Sequence, residues 1–459
     1  MSSSDAASSS SSVIAAVVAT PVVLSTEVYT DLIGAYPTWD ALSKFLTSTE
    51  GGSLRIDDTS TAESPFAIIR YVKGKSDLAK PHARAFRSVI WDTLENRPAS
   101  VTAWKSTDGE GVPETLTPSE CSIESFVDGV MIGMFWDKYS NRWRIHTRST
   151  LDATCRYYSP TTTFATLFWN TMSTEGIRLE GLDKTLTYTW ILQHPANRVV
   201  CEVRSPRVTA VETIRVGADN KVEFVPVPRE TVPAAVKHTL PVVGGVAASW
   251  DALHTMVADW NRRFKHNIQG VVIKDGHGGR WKVRTAEYNR ARVLRGNTPR
   301  RDWIWLSTWK GGPAAMHAYF LVYPEENAAA NALVERWKSV TNDVYRIYVD
   351  AFKARTLDRK AIPAKYRPLV YGLHNKYMTE LKPAGQTLTW KTTVEWMNAR
   401  DLPQMLFVLN WELRQAAQQL GVAAIPIEPP AVAAAAVEEA AEAAEPPAAT
   451  GAGAAAVTE

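Results

Sequence analysis

Residues 122–137 read SIESFVDGVMIGMFWD, and residues 143–150 read WRIHTRST. Asp128-Gly129 is a turn signal, the apolar run after it reads as a strand, Asn141-Arg142 is a second turn signal, and RWRIHTR is a second strand. The same texture extends outward in both directions. Between residue 66 and about 310 the chain repeats short β-branched and aromatic runs: FAIIRYV, FRSVIWD, LTYTWIL, RVVCEV, GVVIKD and RWKVRT. Turn residues separate them, so this segment predicts a largely antiparallel β structure. KDGHGGR (274–280) is expected to be a hairpin turn and WIWLSTW (303–309) a half-buried strand. Helical patterns interrupt at 161–175 and at 249–265, the latter with Ser249 as N-cap.

From about residue 325 apolar residues recur at three-to-four spacing, and Pro363, Pro368, Pro383 and Pro403 mark boundaries. The fold class is therefore α+β, an antiparallel-sheet body followed by an all-α C-terminal domain. With 459 residues the chain exceeds one typical domain. The expected divisions are a Ser-rich disordered N-terminus (1–24), a body (25–320), a helical domain (325–420) and a disordered Ala/Glu/Pro tail (421–459). The apolar run at 13–24 is about a dozen residues long, broken by Pro21 and preceded by no basic residue. It predicts a buried first strand, not a secretory signal or a membrane span. Cys121, Cys155 and Cys201 show no metal-ligand spacing and are expected to pack as buried thiols in a reducing compartment.

The net charge of +3 understates the body. Six of the 48 acidic residues lie in the C-terminal tail, which has no Lys or Arg, so 51 basic residues face 42 acidic ones in the rest, a net +9. From Arg262 to Arg301 twelve Lys/Arg stand against Asp275 and Glu287, interleaved with Phe264, Trp281 and Tyr288 and followed by Trp303 and Trp305. Cations spaced among aromatics suit a polyanion whose bases stack, so Arg262, Arg263, Arg300 and Arg301 are candidate RNA contacts.

Covalent nucleotidyl transfer needs a partly deprotonated lysine in a Lys-x-Asp-Gly turn, a basic residue on a following Thr-(Arg/Lys)-Gly-Ser turn, two glutamates for ribose and metal, and a Lys-x-Lys strand for the α-phosphate. This chain holds five segments in that order: FVDG (126–129), HTRST (146–150), YTWILQHPANRVV (188–200), IQGVVIKD (268–275) and WKVRT (281–285). With FRSVIWD, RVLRGNTPRRDW, YPEEN and LVYGLHNKYMTEL, they resemble the RNA ligase superfamily. The resemblance is nearest to phage tRNA-repair RNA ligases and to RNA-ligase-like proteins of nucleocytoplasmic large DNA viruses, and covers roughly residues 65–415. It implies an ATP-grasp-like nucleotidyltransferase domain with a helical appendage for RNA recognition. It also implies nucleotide or phosphate contacts at Lys105, Asp128, Gly129, Arg148, Gln269, Lys282 and Arg284.

The departures are chemical. Phe126 stands where the nucleophilic lysine belongs, Ile191 replaces the first glutamate and Gln269 the second. No catalytic residue and no metal ligand set is expected. Three readings fit. In the first, the protein binds RNA, a nucleotide or a phosphate group without a lysyl-nucleotide intermediate. In the second, it is an active RNA ligase or RNA-end-modifying enzyme of atypical mechanism, using ATP and Mg²⁺. In the third, it is a structural or virion-associated protein that reuses the fold. The three losses favour the first reading over the second, and the basic-aromatic block favours it over the third. RNA is the expected partner, no membrane is, and the expected location is intracellular: host cytoplasm, or virion if the chain is viral.

Overall fold

The computed structural model describes residues 24–109, 112–158, 161–227 and 249–419. The expected first strand at 13–24 and both expected disordered tails lie essentially outside these residues. Thirteen strands among the described residues form three sheets. Strands β1 (Arg55–Asp58), β2 (Phe66–Arg70), β3 (Val89–Asp92) and β4 (Arg97–Val101) make an antiparallel sheet in sequence order. A small sheet joins β5 (Thr107–Asp108) and β6 (Ser122–Ser125) to the later β12 (Gly270–Lys274) and β13 (Arg280–Arg284), in the order β5-β13-β12-β6. The central sheet holds β7 (Val130–Asp137), β8 (Arg142–His146), β9 (Leu186–Gln193), β10 (Arg207–Val216) and β11 (Val222–Val225), in the order β11-β10-β9-β7-β8.

Each sheet buries its apolar face against a specific partner. The first sheet is covered on one side by helices α1 (Val28–Ala35) and α2 (Trp39–Thr47), whose Tyr29, Leu42 and Leu46 meet Ile69, Val89 and Trp91. On the other side Phe66, Ile68 and Ile90 pack on Phe135 of the central sheet. Apolar residues on both faces explain the unbroken run FAII, which alternation would not produce. Helix α4 (Phe164–Thr174) lays Phe164, Leu167 and Phe168 on Ile132, Met134, Tyr188 and Trp190. Here α3 is the short helix Pro81–Ala85. Helix α5 (Trp250–Phe264) starts at Ser249, whose hydroxyl accepts the Ala252 N–H, and covers Val271, Ile273 and Trp281 of the small sheet with Leu253 and Val257.

The remainder is helical: α6 (Ala286–Arg295), α7 (Arg301–Lys310), α8 (Gly312–Val322), α9 (Asn327–Tyr348), α10 (Arg367–Lys376), α11 (Trp390–Asn398), α12 (Leu402–Leu409) and α13 (Trp411–Gln419). Helices α9 and α10 each run on into a π turn, at Val349–Lys353 and Tyr377–Leu381. Trp337, Val344, Leu373, Met397 and Met405 form the core of this layer. Each such fully buried large side chain is worth about 1.5–3 kcal/mol of transfer free energy.

Two expectations fail locally. WIWLSTW is helix α7, not a strand. Its Leu306 joins the C-terminal core while Ile304 joins a second cluster with Val200, Tyr288 and Tyr319. A helix wedged between two cores is apolar on several sides, so it shows no single-face period. RVVCEV (198–203) is an irregular segment, because its amides are drawn to a side chain described below. No helix among the described residues is long and apolar enough to cross a membrane.

Candidate functional site

The chain crosses from the small sheet to the central sheet at Phe126-Val127-Asp128-Gly129. The Phe126 N–H donates to the Gly270 carbonyl (2.8 Å), extending the β6–β12 pairing by one residue before the chain leaves. Asp128 is buried; one carboxylate oxygen accepts the Val200 and Cys201 N–H groups (2.9 and 2.8 Å), and the other accepts the Tyr288 hydroxyl (2.7 Å). Burial, then the Asp128 charge, raises the Tyr288 phenol well above its ordinary range, so it stays a donor. Gly129 lies against β9, where a Cβ would come 2.5 Å from the Leu192 carbonyl oxygen and 2.7 Å from Ile191 Cγ2. The Asp-Gly pair is therefore explained by packing: the acid ties three segments together, and the glycine permits the close approach.

Strand β13 supplies a row of cations. Its side chains alternate, so Arg280, Lys282 and Arg284 share one face, while Trp281 and Val283 turn to the core beneath α5. Arg284 lies opposite Gly270, whose positive φ and lack of a Cβ let β12 approach the Val283–Arg284 backbone closely. The Phe126 ring accepts two guanidiniums, Arg284 at 5.2 Å and Arg280 at 5.8 Å from its centroid. Arg280 donates to the Ser106 hydroxyl, and Lys282 stands 3.4 Å from the Asp108 carboxylate. Burial, followed by the neighbouring Arg87, pushes Arg280 down to about 10, with Arg284 adding to the effect and Glu212 and Glu124 opposing it. A bulge at Val211 in β10 turns Glu212 toward Arg280 (4.0 Å) and Lys274 (3.4 Å).

Arg148 follows β8. Its guanidinium donates to the Tyr71 carbonyl (3.1 Å) and lies 4.6 Å from the centroid of the Tyr71 ring. The Thr147 hydroxyl shapes this turn by accepting the Ser149 and Thr150 N–H groups. Below it His146 is fully buried, its ring nitrogens in contact with the Ser88 and Ser100 hydroxyls. Burial lowers it to about 4, so the imidazole is neutral near pH 7.

These elements enclose one cavity of about 640 Å³. Lys105, Asp128, Gly129, Arg148, Gln269, Lys282 and Arg284 all line it, as do Phe126 and Ile191. Trp190 does not; it is buried in the core under α4. Among the described residues, twelve Lys/Arg and a single carboxylate, Asp128, line this cavity. That carboxylate already accepts three hydrogen bonds. The donor set does not fit a divalent cation, since Ile191 and Gln269 bring no charge and Asp128 is committed to the protein. Oxygen-rich anions fit it, because one such anion can accept charge-assisted hydrogen bonds from several of these cations at once. Buried guanidinium nitrogens of Arg280 (Nε) and Arg292 (Nη1) have no hydrogen-bond acceptor among the described residues.

Sequence reasoning missed Arg280, Arg156 and Arg292, and of the cavity cations of the first sheet and its loops it found Lys105 but not Arg55, Arg70, Lys73, Lys75 or Arg87. Arg280 was findable, since it stands two residues before Lys282 on the same strand. The four arginines singled out as RNA contacts lie elsewhere. Arg262 and Arg263 are exposed at the end of α5, each beside Asp259 (3.2 and 2.7 Å). Arg300 pairs with Asp302 (2.6 Å), and Arg301 lies 3.5 Å from the buried Glu326. Glu326 also receives Arg295 (2.6 Å), Tyr319 and Trp305, while Glu325 receives Arg198. YPEEN, Arg198 of ANRVV and Arg295 of RVLRGN thus form the polar junction between sheets and helices.

No protein-family model and no curated protein matches this chain. Among solved structures it is similar to a putative ATP-dependent DNA ligase from Aquifex aeolicus, with 14% identity and a TM-score of 0.35 over 74% of this chain and 80% of that one. It is also similar to an archaeal ATP-dependent RNA ligase in two forms, at 14% and 15% identity, each with a TM-score of 0.34 over 68% of this chain and 82% of that one.

Proposed function

We propose that this protein is an RNA-ligase-like protein that holds a nucleotide or an RNA phosphate in the cavity without forming a lysyl-nucleotide. The observation that carries the reading is the make-up of the cavity wall, which among the described residues holds twelve cations and one committed carboxylate. The motif positions converge there although they come from six separated segments. A phosphate would take hydrogen bonds from the β13 row, each charge-assisted and worth about 1.5–3 kcal/mol. The phenyl ring of Phe126 offers no amine for a phosphoramidate, and the described residues lining the cavity offer no carboxylate beyond the committed Asp128 to place a metal.

One experiment with two readouts tests this. Incubation with labelled ATP or GTP and Mg²⁺ should leave no acid-stable adduct, while ATP, pyrophosphate or a 5′-phosphorylated RNA should raise the melting temperature, as a ligand selective for the folded state must. A labelled band lost on Lys105→Ala would overturn the absence of covalent chemistry. No thermal shift with any of the three ligands would overturn phosphate binding itself.

A further inference from the structure

The motif positions leave part of the cavity unexplained. Arg55 on β1 and Arg70 on β2 face each other directly in the antiparallel register. Like charges so placed destabilise a sheet pair, and these two share one acid, Asp57, at 2.9 and 3.6 Å. The Arg70 side chain is only 8% exposed, and its Nε has no acceptor among the described residues. Both arginines line the cavity, as does Arg148, which rests on Tyr71, the residue after Arg70. Burial lowers the Arg70 guanidinium, and although Asp57 opposes this, Arg55 and Arg148 add to it, as expected for three cations in mutual range.

We propose that Arg55, Arg70 and Arg148 form a second phosphate subsite, so that the ligand of this cavity carries at least two phosphate groups, one on the β13 row and one here. The inference rests on the reading of the cavity as a phosphate site. The shared chemistry is a chain of phosphates, and it has two sources: the polyphosphate of a nucleoside triphosphate, or successive phosphodiesters of an RNA strand. Arg70 supplies the buried guanidinium, Arg55 the partly exposed one at the rim, and Arg148 joins this wall to the turn after β8.

The test is binding of AMP, ATP and a 5′-phosphorylated trinucleotide to the full chain and to Arg55→Gln and Arg70→Gln variants. Arg55 is half exposed, so its variant should keep the ligand-free melting temperature even if Arg70→Gln does not. In the wild type, ATP or the trinucleotide should bind at least tenfold tighter than AMP, and whichever gains more identifies the source. In either variant that gain should vanish while AMP binding is unchanged. If AMP binds and the gain survives both substitutions, or AMP and the longer ligands weaken equally, the second subsite is wrong and the phosphate reading stands. If none of the probes binds, both fall.

Discussion

The cavity and the basic stretch at 262–301 are built from the same residue types, yet they place their acids differently. In the stretch, Arg262 and Arg263 take Asp259, Arg290 takes Glu287, Arg295 and Arg301 take Glu326, and Arg300 takes Asp302. In the cavity, the described lining residues include twelve cations and one acid, which is engaged by two backbone amides and a phenol; the acids that meet some of these cations, Asp57, Asp108 and Glu212, stand outside the lining. The stretch itself is divided: Arg280, Lys282, Arg284 and Arg292 belong to the cavity wall. Density of charge along a chain therefore does not measure unbalanced charge in space. Pairing does, and pairing is settled by which carboxylates the fold brings near.

The sharpest way to break this contrast is at the buried end of the stretch. Arg295 and Glu326 are 1% and 3% exposed, so Arg295→Met leaves a buried carboxylate short of its main partner. Chemical denaturation should show a loss of about 3–5 kcal/mol, and pairing the change with Glu326→Gln should recover much of it. A cost near zero would mean that these arginines are not structural.

The cavity side has its own stake in His146, which supports the Arg148 turn. Its folded value is depressed to about 4, so the neutral ring is the stable form in the fold. Its contribution is complete above the unfolded value near 6.5 and is lost as pH falls from there toward 4, because the unfolded chain binds the proton first. About 3 kcal/mol is at stake across that window. Unfolding free energies of the wild type and His146→Gln between pH 7 and pH 4 should diverge by that amount, with the variant less sensitive to acid. Parallel curves would remove His146 from the account.

The smallest effects separate the two regions most directly. Lys282→Ala should weaken ATP or phosphorylated RNA about tenfold or more, a change of about 1.4 kcal/mol, without lowering the ligand-free melting temperature. Arg262→Gln with Arg263→Gln should change stability by less than about 1 kcal/mol, as exposed ion pairs do. Any effect on RNA should appear as a flatter salt dependence, by about 0.7 in slope for each phosphate no longer neutralised. If the α5 arginines matter more to ligand affinity than Lys282, the contrast is inverted and the surface, not the cavity, is the binding site.

Local periodicity made part of this protein legible. The three-to-four spacing from 325 onward becomes α9 to α13, Ser249 caps α5, and KDGHGGR is the β12–β13 turn, because each depends on residues close in sequence. The shared face of Lys282 and Arg284 followed from strand alternation alone. Legibility stopped where a segment meets two partners. Helix α7 lost its period between two cores, and the β-branched run at 199–201 lost its ladder because Asp128, some seventy residues earlier, takes its amides.

What the sequence determined by itself was the order of these segments and the chemistry of the side chains at positions 126, 191 and 269, since a phenyl ring, an alkyl chain and an amide have their properties wherever they sit. Only the tertiary structure decided which cations share a cavity. Arg55 and Arg70 lie more than two hundred residues from Arg280 and reach the same space through the pairing of β1 with β2 and the packing of separate sheets. Coulomb energy depends on distance through space, and a sequence records only distance along the chain.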